Sequence, residues 1–175
     1  MESSRKSWLR IASAAFLVTI PILAAAILAG TVTYWGLGIH EIGDNTIVLY
    51  DAPPVAERRV YGLLATLVPA ALLIYALWQL FRMFLGFNTI DHVDTRTIVR
   101  LKAFSLFTFL GVLAAFLLSG VMRWAIGEFD NAPLWTHLGF SAAHAAVMFC
   151  TAVIYVAASI IDEGYAYKRE TEEYV

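Results

Sequence analysis

Four stretches of this 175-residue chain carry no Lys, Arg, Asp or Glu: Ile11 to Ile39, Val60 to Phe81, Ala103 to Met122 and Ala132 to Ile161. A bilayer's hydrocarbon core is about 30 Å thick, and a helix rising 1.5 Å per residue needs about 20 residues to cross it. The shortest stretch, Ala103 to Met122, has 20. Inside lipid an unsatisfied backbone N–H or C=O costs several kcal/mol, so an isolated apolar run of this length has to be helical. The sequence therefore predicts an all-α membrane protein, a bundle of four transmembrane helices at about residues 9–35, 60–85, 103–126 and 133–161. An external loop is expected at 36–59, a cytoplasmic connection at 86–102 and a cytoplasmic tail at 162–175.

Composition agrees with that class and excludes others. Hydrophobic residues make up 60% of the chain and charged residues 15%, against roughly half and a quarter in soluble domains. After four spans too little chain is left for a second domain, so residues 1–175 read as a single membrane domain. No Lys/Arg-rich run offers a nucleic-acid footprint, and nucleic acid is not an expected partner. The single cysteine, Cys150, allows no intrachain disulfide and no thiolate metal cluster. It is read as a small packing residue. The first run follows Arg5, Lys6 and Arg10 as a secretory signal would, but it is far longer than a signal's apolar segment of about 7 to 15 residues. It is read as a retained helix.

Basic residues set the expected orientation. Arg5, Lys6, Arg10, Arg82, Arg96, Arg100, Lys102, Lys168 and Arg169 fall on one side of a four-span arrangement, and Arg58, Arg59 and Arg123 on the other. Both termini are thus expected in the cytoplasm. Trp35, Trp124 and Trp135 would form an outer aromatic belt, and Trp8 and Trp78 an inner one. Pro21 and Pro69 fall within helices one and two, where each removes one intrahelical hydrogen bond. In the external loop, Thr46 to Tyr50 reads as a short strand-like run closed by Asp51-Ala52-Pro53-Pro54. Thr89, Asp91 and Asp94 offer caps for a cytoplasmic extension of helix three through Arg96. The tail is expected to prolong helix four.

Helix four carries the most informative pattern. His137, Ser141, His144, Thr151 and Tyr155 are spaced 4, 3, 7 and 4 apart, which places them on one helical face. With the helix starting near 133, His144 would lie about 15 Å deep, close to the bilayer midplane. An ionisable residue there raises the question of function. The favoured reading is a neutral histidine hydrogen-bonded to a neighbouring helix. The alternative is a cofactor ligand, haem or a chlorophyll-type pigment. A bis-histidine haem needs a second histidine at similar depth, but His40 and His92 fall in loops and His137 shares the helix. No cofactor is therefore expected. A proton relay would want a carboxylate partner, and no Asp or Glu falls in a helix centre.

Small residues four apart, Gly139 with Ala143, Ser141 with Ala145 and Ala142 with Ala146, suit close helix packing, within the bundle or against another subunit. Arg123 is expected to snorkel to the headgroups, or to form an outer charged cluster with Glu128 and Asp130.

Two segments, Leu85-Gly86-Phe87-Asn88-Thr89-Ile90 through Arg96, Val99, Arg100 and Leu101, and Asp162-Glu163-Gly164 to Glu172-Glu173-Tyr174-Val175, carry a resemblance. They are similar to the glycine-plus-basic stretch before the third span, and to the charged terminal helix, of a family of small bacterial integral membrane proteins of unknown function, the YoaS-like proteins. The resemblance covers at most the C-terminal half. It implies a four-span protein of the bacterial inner membrane and no activity. The sequence thus favours a non-enzymatic accessory, regulatory or assembly subunit whose partners are membrane lipid and another membrane protein or further copies of itself. A small oligomeric transporter using the polar face of helix four, and a cofactor-bearing membrane protein, are the alternatives.

Overall fold

The computed structural model describes residues 2–39, 41–42, 47–48, 53–87, 95–127 and 138–173. The chain is an all-α bundle of four long helices: α1 (Glu2–Thr31), α2 (Arg59–Phe87), α3 (Thr95–Ala125) and α4 (Ala142–Glu173). Each is long and apolar enough to cross a membrane, over Ser13–Leu37, Ala56–Gly86, Arg96–Ala125 and Ala142–Tyr165. α3 starts eight residues before its apolar run, and α4 continues through the charged segment to Glu173.

The helices pack in chain order, α1 on α2, α2 on α3 and α3 on α4. Among the described residues no packing face of comparable extent joins α1 to α4. The inner pair is accordingly more buried, with 28% of the α2 span and 17% of the α3 span covered, against 11% for each outer helix. In lipid this exposure is tolerated, because hydrocarbon side chains lose little by facing hydrocarbon tails. What joins the helices is close packing and a few polar ties.

The most enclosed large side chains lie where α1 and α3 end and α2 begins. α1 widens into a π-helical stretch, Val32–Leu37, that stops at Gly38, whose φ of 74° is left-handed and suits glycine. This stretch carries Tyr34 and Trp35, 0% and 2% exposed, which form a small core with Ala125. Trp35 lies directly on the backbone of Gly62, where a Cβ would meet the indole at 2.0 Å. Trp35 is therefore a core residue and not part of a lipid-facing belt, because Gly62 opens a slot for the ring on α2. Trp78 does present an exposed ring, stacked on Phe81. Trp135 and the side chain of Trp8 lie outside the described residues.

Between α1 and α2, Glu41–Ile42 pairs with Ile47–Val48 as a two-residue antiparallel ladder. A single 3-10 turn, Ala56–Arg58, then leads into α2. The turn closes the end of α3: Val55 N–H donates to the Ala125 carbonyl at 3.0 Å, and Arg58 Nη1 donates to the Trp124 carbonyl at 3.2 Å. The Arg58 guanidinium also lies 4.7 Å from the centre of the Trp124 ring. At the other end of the bundle, Arg100 near the start of α3 donates to the Arg82 carbonyl near the end of α2 at 2.6 Å. Helix C-termini carry negative partial charge, which a cation delivered from a neighbouring element offsets.

Candidate functional site: the face of the fourth helix

α4 meets α3 along His144, Met148, Thr151, Ala158 and Asp162, which are buried or half-buried and recur at helical spacing. Thr151 and Ala158 are the most enclosed, at 5% and 1% exposed. The Ser105 hydroxyl, itself 1% exposed, donates to the Thr151 carbonyl across the interface. The Thr151 hydroxyl turns back onto its own helix, to the carbonyls of Val147 at 2.8 Å and Met148 at 3.0 Å. Further along, Lys102 of α3 pairs with Asp162 of α4 at 2.6 Å, with both side chains about two-thirds buried or more. A cavity of about 200 Å³ lies beside Ser105 and Thr151, walled by Leu106, Phe109, Ala152, Tyr155 and Val156.

At the opposite end of the interface the chain enters α4 through Leu138 to Ser141, which are not helical. Gly139 N–H donates to Ser119 Oγ at 3.1 Å, and the Ser119 hydroxyl donates to the Phe116 carbonyl at 2.7 Å. The Arg123 guanidinium lies over Gly139, where a Cβ would fall 2.7 Å from it. Phe140 meets Phe116 edge-on at 5.2 Å and stacks on the other side against His144, with ring centres 6.3 Å apart.

His144 is therefore not ten residues into its helix but three, because Ser141 caps α4 and the residues before it are held out of the helix by Ser119. Ser141 and His144 form a reciprocal cap. The His144 N–H donates to Ser141 Oγ at 3.3 Å, the Ser141 N–H donates to His144 Nδ1 at 3.3 Å, and Ser141 Oγ lies 2.6 Å from the same nitrogen. This is a capping box with histidine in place of the usual Glu or Gln. A backbone N–H can only donate, so Nδ1 is the acceptor and the ring proton sits on Nε2. A protonated nitrogen has no lone pair for iron or magnesium, so axial ligation through Nε2 would require the cap to open. Among the described residues no three His, Cys, Asp or Glu side chains lie together as metal ligands.

The other residues singled out from the sequence are distributed as follows. His137, Glu128 and Asp130 lie outside the described residues. Ser141 is exposed, and Tyr155 is 41% exposed at the rim of the cavity, so the polar stripe splits between the α3 interface and the lipid side. Ala142, Ala143, Ala145 and Ala146 are all exposed, and Gly139 packs against Arg123. Cys150 is exposed as well. It is no packing residue within one chain, because its position on α4 turns away from α3. Arg123 is exposed near the end of α3, with its guanidinium against Gly139.

The sequence did not point to Ser105 as Thr151's partner, to the Lys102–Asp162 pair, or to Arg58 and Arg100 as helix-end caps. The available signals were a lone serine in a Leu/Phe-rich helix and arginines at the starts of α2 and α3. No protein-family profile, curated protein or solved structure matches this chain significantly.

Proposed function

We propose that this chain is a non-enzymatic accessory, regulatory or assembly subunit of the bacterial inner membrane, with both termini cytoplasmic. The distribution of basic residues supports the orientation, and the resemblance to YoaS-like proteins supports the setting. One observation carries the role: among the described residues, α3 is the one helix against which α4 packs extensively. Its polar groups facing α3 are committed to ties within the chain, while Ala142, Ala143, Ala145, Ala146, Phe149, Val153 and Val156 are exposed. Small residues on such a face let another helix approach closely, and apolar ones fill the remaining contact. The partner is a second membrane protein or another copy of this chain.

Gentle detergent extraction followed by native mass spectrometry tests this reading. A stoichiometric second subunit or copy is expected, and a bare monomer from every mild extraction contradicts it. The transporter reading places a permeation path along the polar face of α4 and requires the Ser105–Thr151 and Ser141–His144 bonds to open. Transport lost in His144→Ala with partner binding intact would favour that reading instead.

A further inference from the structure

We infer that the groove between α1 and α2 is a lipid site, which holds one acyl chain of an anionic phospholipid and sets its phosphate against Arg82. The inference does not depend on the subunit role proposed above. α1 and α2 are tied at both ends. Trp35 fills the slot at Gly62 at one end. At the other, the Ser13 hydroxyl donates to the Phe84 carbonyl at 3.3 Å and Phe16 stacks on the Phe84 ring at 4.7 Å. Between these ties lies a cavity of about 460 Å³. Ala70 and Ala71 form its floor, and Leu28 of α1 with Leu67, Tyr75 and Trp78 of α2 form its walls. Leu28, Leu67 and Trp78 are exposed, so the groove opens to the hydrocarbon around the bundle.

Length and depth select the occupant. Leu67 to Trp78 extends about 16 Å at 1.5 Å per residue, half of a hydrocarbon core of about 30 Å. The spanning part of α2, Ala56–Gly86, has Ala71 as its middle residue. The groove therefore runs from near the middle of the span toward the face where α2 ends, the depth taken by the acyl chains of that leaflet. A partner helix, about 10 Å across, would fill on the order of 1,200 Å³ over the same length, more than the groove holds.

Charge selects the headgroup. Arg82 is exposed, four residues beyond Trp78 on the same face of α2. It lies about 16 Å along the helix from Ala71, at headgroup level. Arg100 of α3 brings a second guanidinium to this end, where it donates to the Arg82 carbonyl at 2.6 Å. There is no Asp or Glu from Ser3 to His40 or from Arg58 to Ile90, so neither helix opposes an anion here. A guanidinium pairs with phosphate oxygens through two parallel hydrogen bonds, and an indole such as that of Trp78 favours the headgroup boundary. A zwitterionic lipid brings a cation beside its phosphate, which two arginines repel, so the site favours a net negative headgroup.

The test titrates the full chain in detergent micelles with dioleoyl phosphatidylglycerol or dioleoyl phosphatidylcholine and counts bound lipids by native mass spectrometry. The first phosphatidylglycerol should bind about fivefold more tightly than the first phosphatidylcholine, and Arg82→Gln should remove that preference, as expected for one basic residue at an anionic headgroup. Ala71→Phe, which fills the floor of the groove and leaves Arg82 in place, should reduce the first phosphatidylglycerol to the affinity of the later ones. Arg96→Gln, which removes a charge from α3 at the same end of the bundle, should leave it unchanged. In the native chain, a phosphatidylglycerol with a photoreactive diazirine halfway along one acyl chain should label α2 between Leu67 and Trp78. Equal affinity for the two lipids would mean annular lipid only and overturns the inference. So does a first-lipid affinity that survives Ala71→Phe or Arg82→Gln, an equal loss in Arg96→Gln, or photolabel spread over all four helices.

Discussion

Ser105 on α3 donates its hydroxyl proton to the carbonyl of Thr151 on α4, from a position that is 1% exposed. Thr151's own hydroxyl bonds back to Val147 and Met148, so this turn of α4 offers its carbonyl outward and keeps its side-chain donor satisfied. One small polar side chain in an apolar helix thereby fixes the axial register of two helices that hydrocarbon contacts alone would hold only loosely. Ser105→Ala should destabilise the folded protein by about 0.6 to 1.7 kcal/mol, the range measured for hydrogen bonds between membrane helices. Equilibrium unfolding in mixed micelles checks this. Ser105→Leu, which removes the donor and adds bulk against Thr151, should cost more.

Gly62 and Trp35 set the spacing of α1 and α2. A Cβ at Gly62 would lie 2.0 Å from the Trp35 ring, and that ring is 2% exposed in a core shared with Tyr34 and Ala125. Gly62→Ala should therefore destabilise by about 1 to 3 kcal/mol through overpacking, although alanine is the better helix former. A red shift in tryptophan emission should accompany the loss, and stability equal to the native protein would show that the indole does not occupy this slot.

Arg58 serves the end of α3 twice, by donating to the Trp124 carbonyl and by lying over the Trp124 ring. Arg58→Gln should cost about 1 to 3 kcal/mol as a charge-assisted bond and a cation–π contact are lost. Amide exchange in the last turn of α3 and at Val55 should rise, with little change at Ser105.

Lys102 and Asp162 form a partly buried pair between the same two helices. Water and salt still reach it, so a double-mutant cycle on Lys102→Met and Asp162→Asn should give a coupling of at most about 1 kcal/mol, smaller at high salt. A coupling near zero would assign the register of the interface to Ser105 and Thr151 alone.

Lipid as solvent made the four helices legible, because a run without charges long enough to cross hydrocarbon leaves the backbone few choices. α2 begins and ends within two residues of its expected limits, and the extension of α3 back to Thr95 follows from the periodic run through Arg96, Ile98 and Leu101. The start of α4 was not legible. Leu138 to Ser141 are as uncharged as the turns of helix that follow, and what sets them apart is the Ser141–His144 cap and a tertiary contact, Ser119 with Gly139. His144 therefore read as ten residues into its helix when it lies in the first turn. The role of Trp35 was hidden for a similar reason, since the slot that receives it is made by an absent side chain on another helix. The polar ties escaped because each joins residues 18 or more apart and leaves no periodic trace.

The central claim is that four helices cross the bilayer and return both ends of the chain to one side, and accessibility labelling tests it most directly. With Cys150 replaced by serine, single cysteines at Ser3, Glu57 and Glu173 would be exposed to a membrane-impermeant maleimide in intact cells. The account predicts that Glu57→Cys is labelled, while Ser3→Cys and Glu173→Cys react only after the membrane is opened. Labelling of one terminus without the other would contradict it.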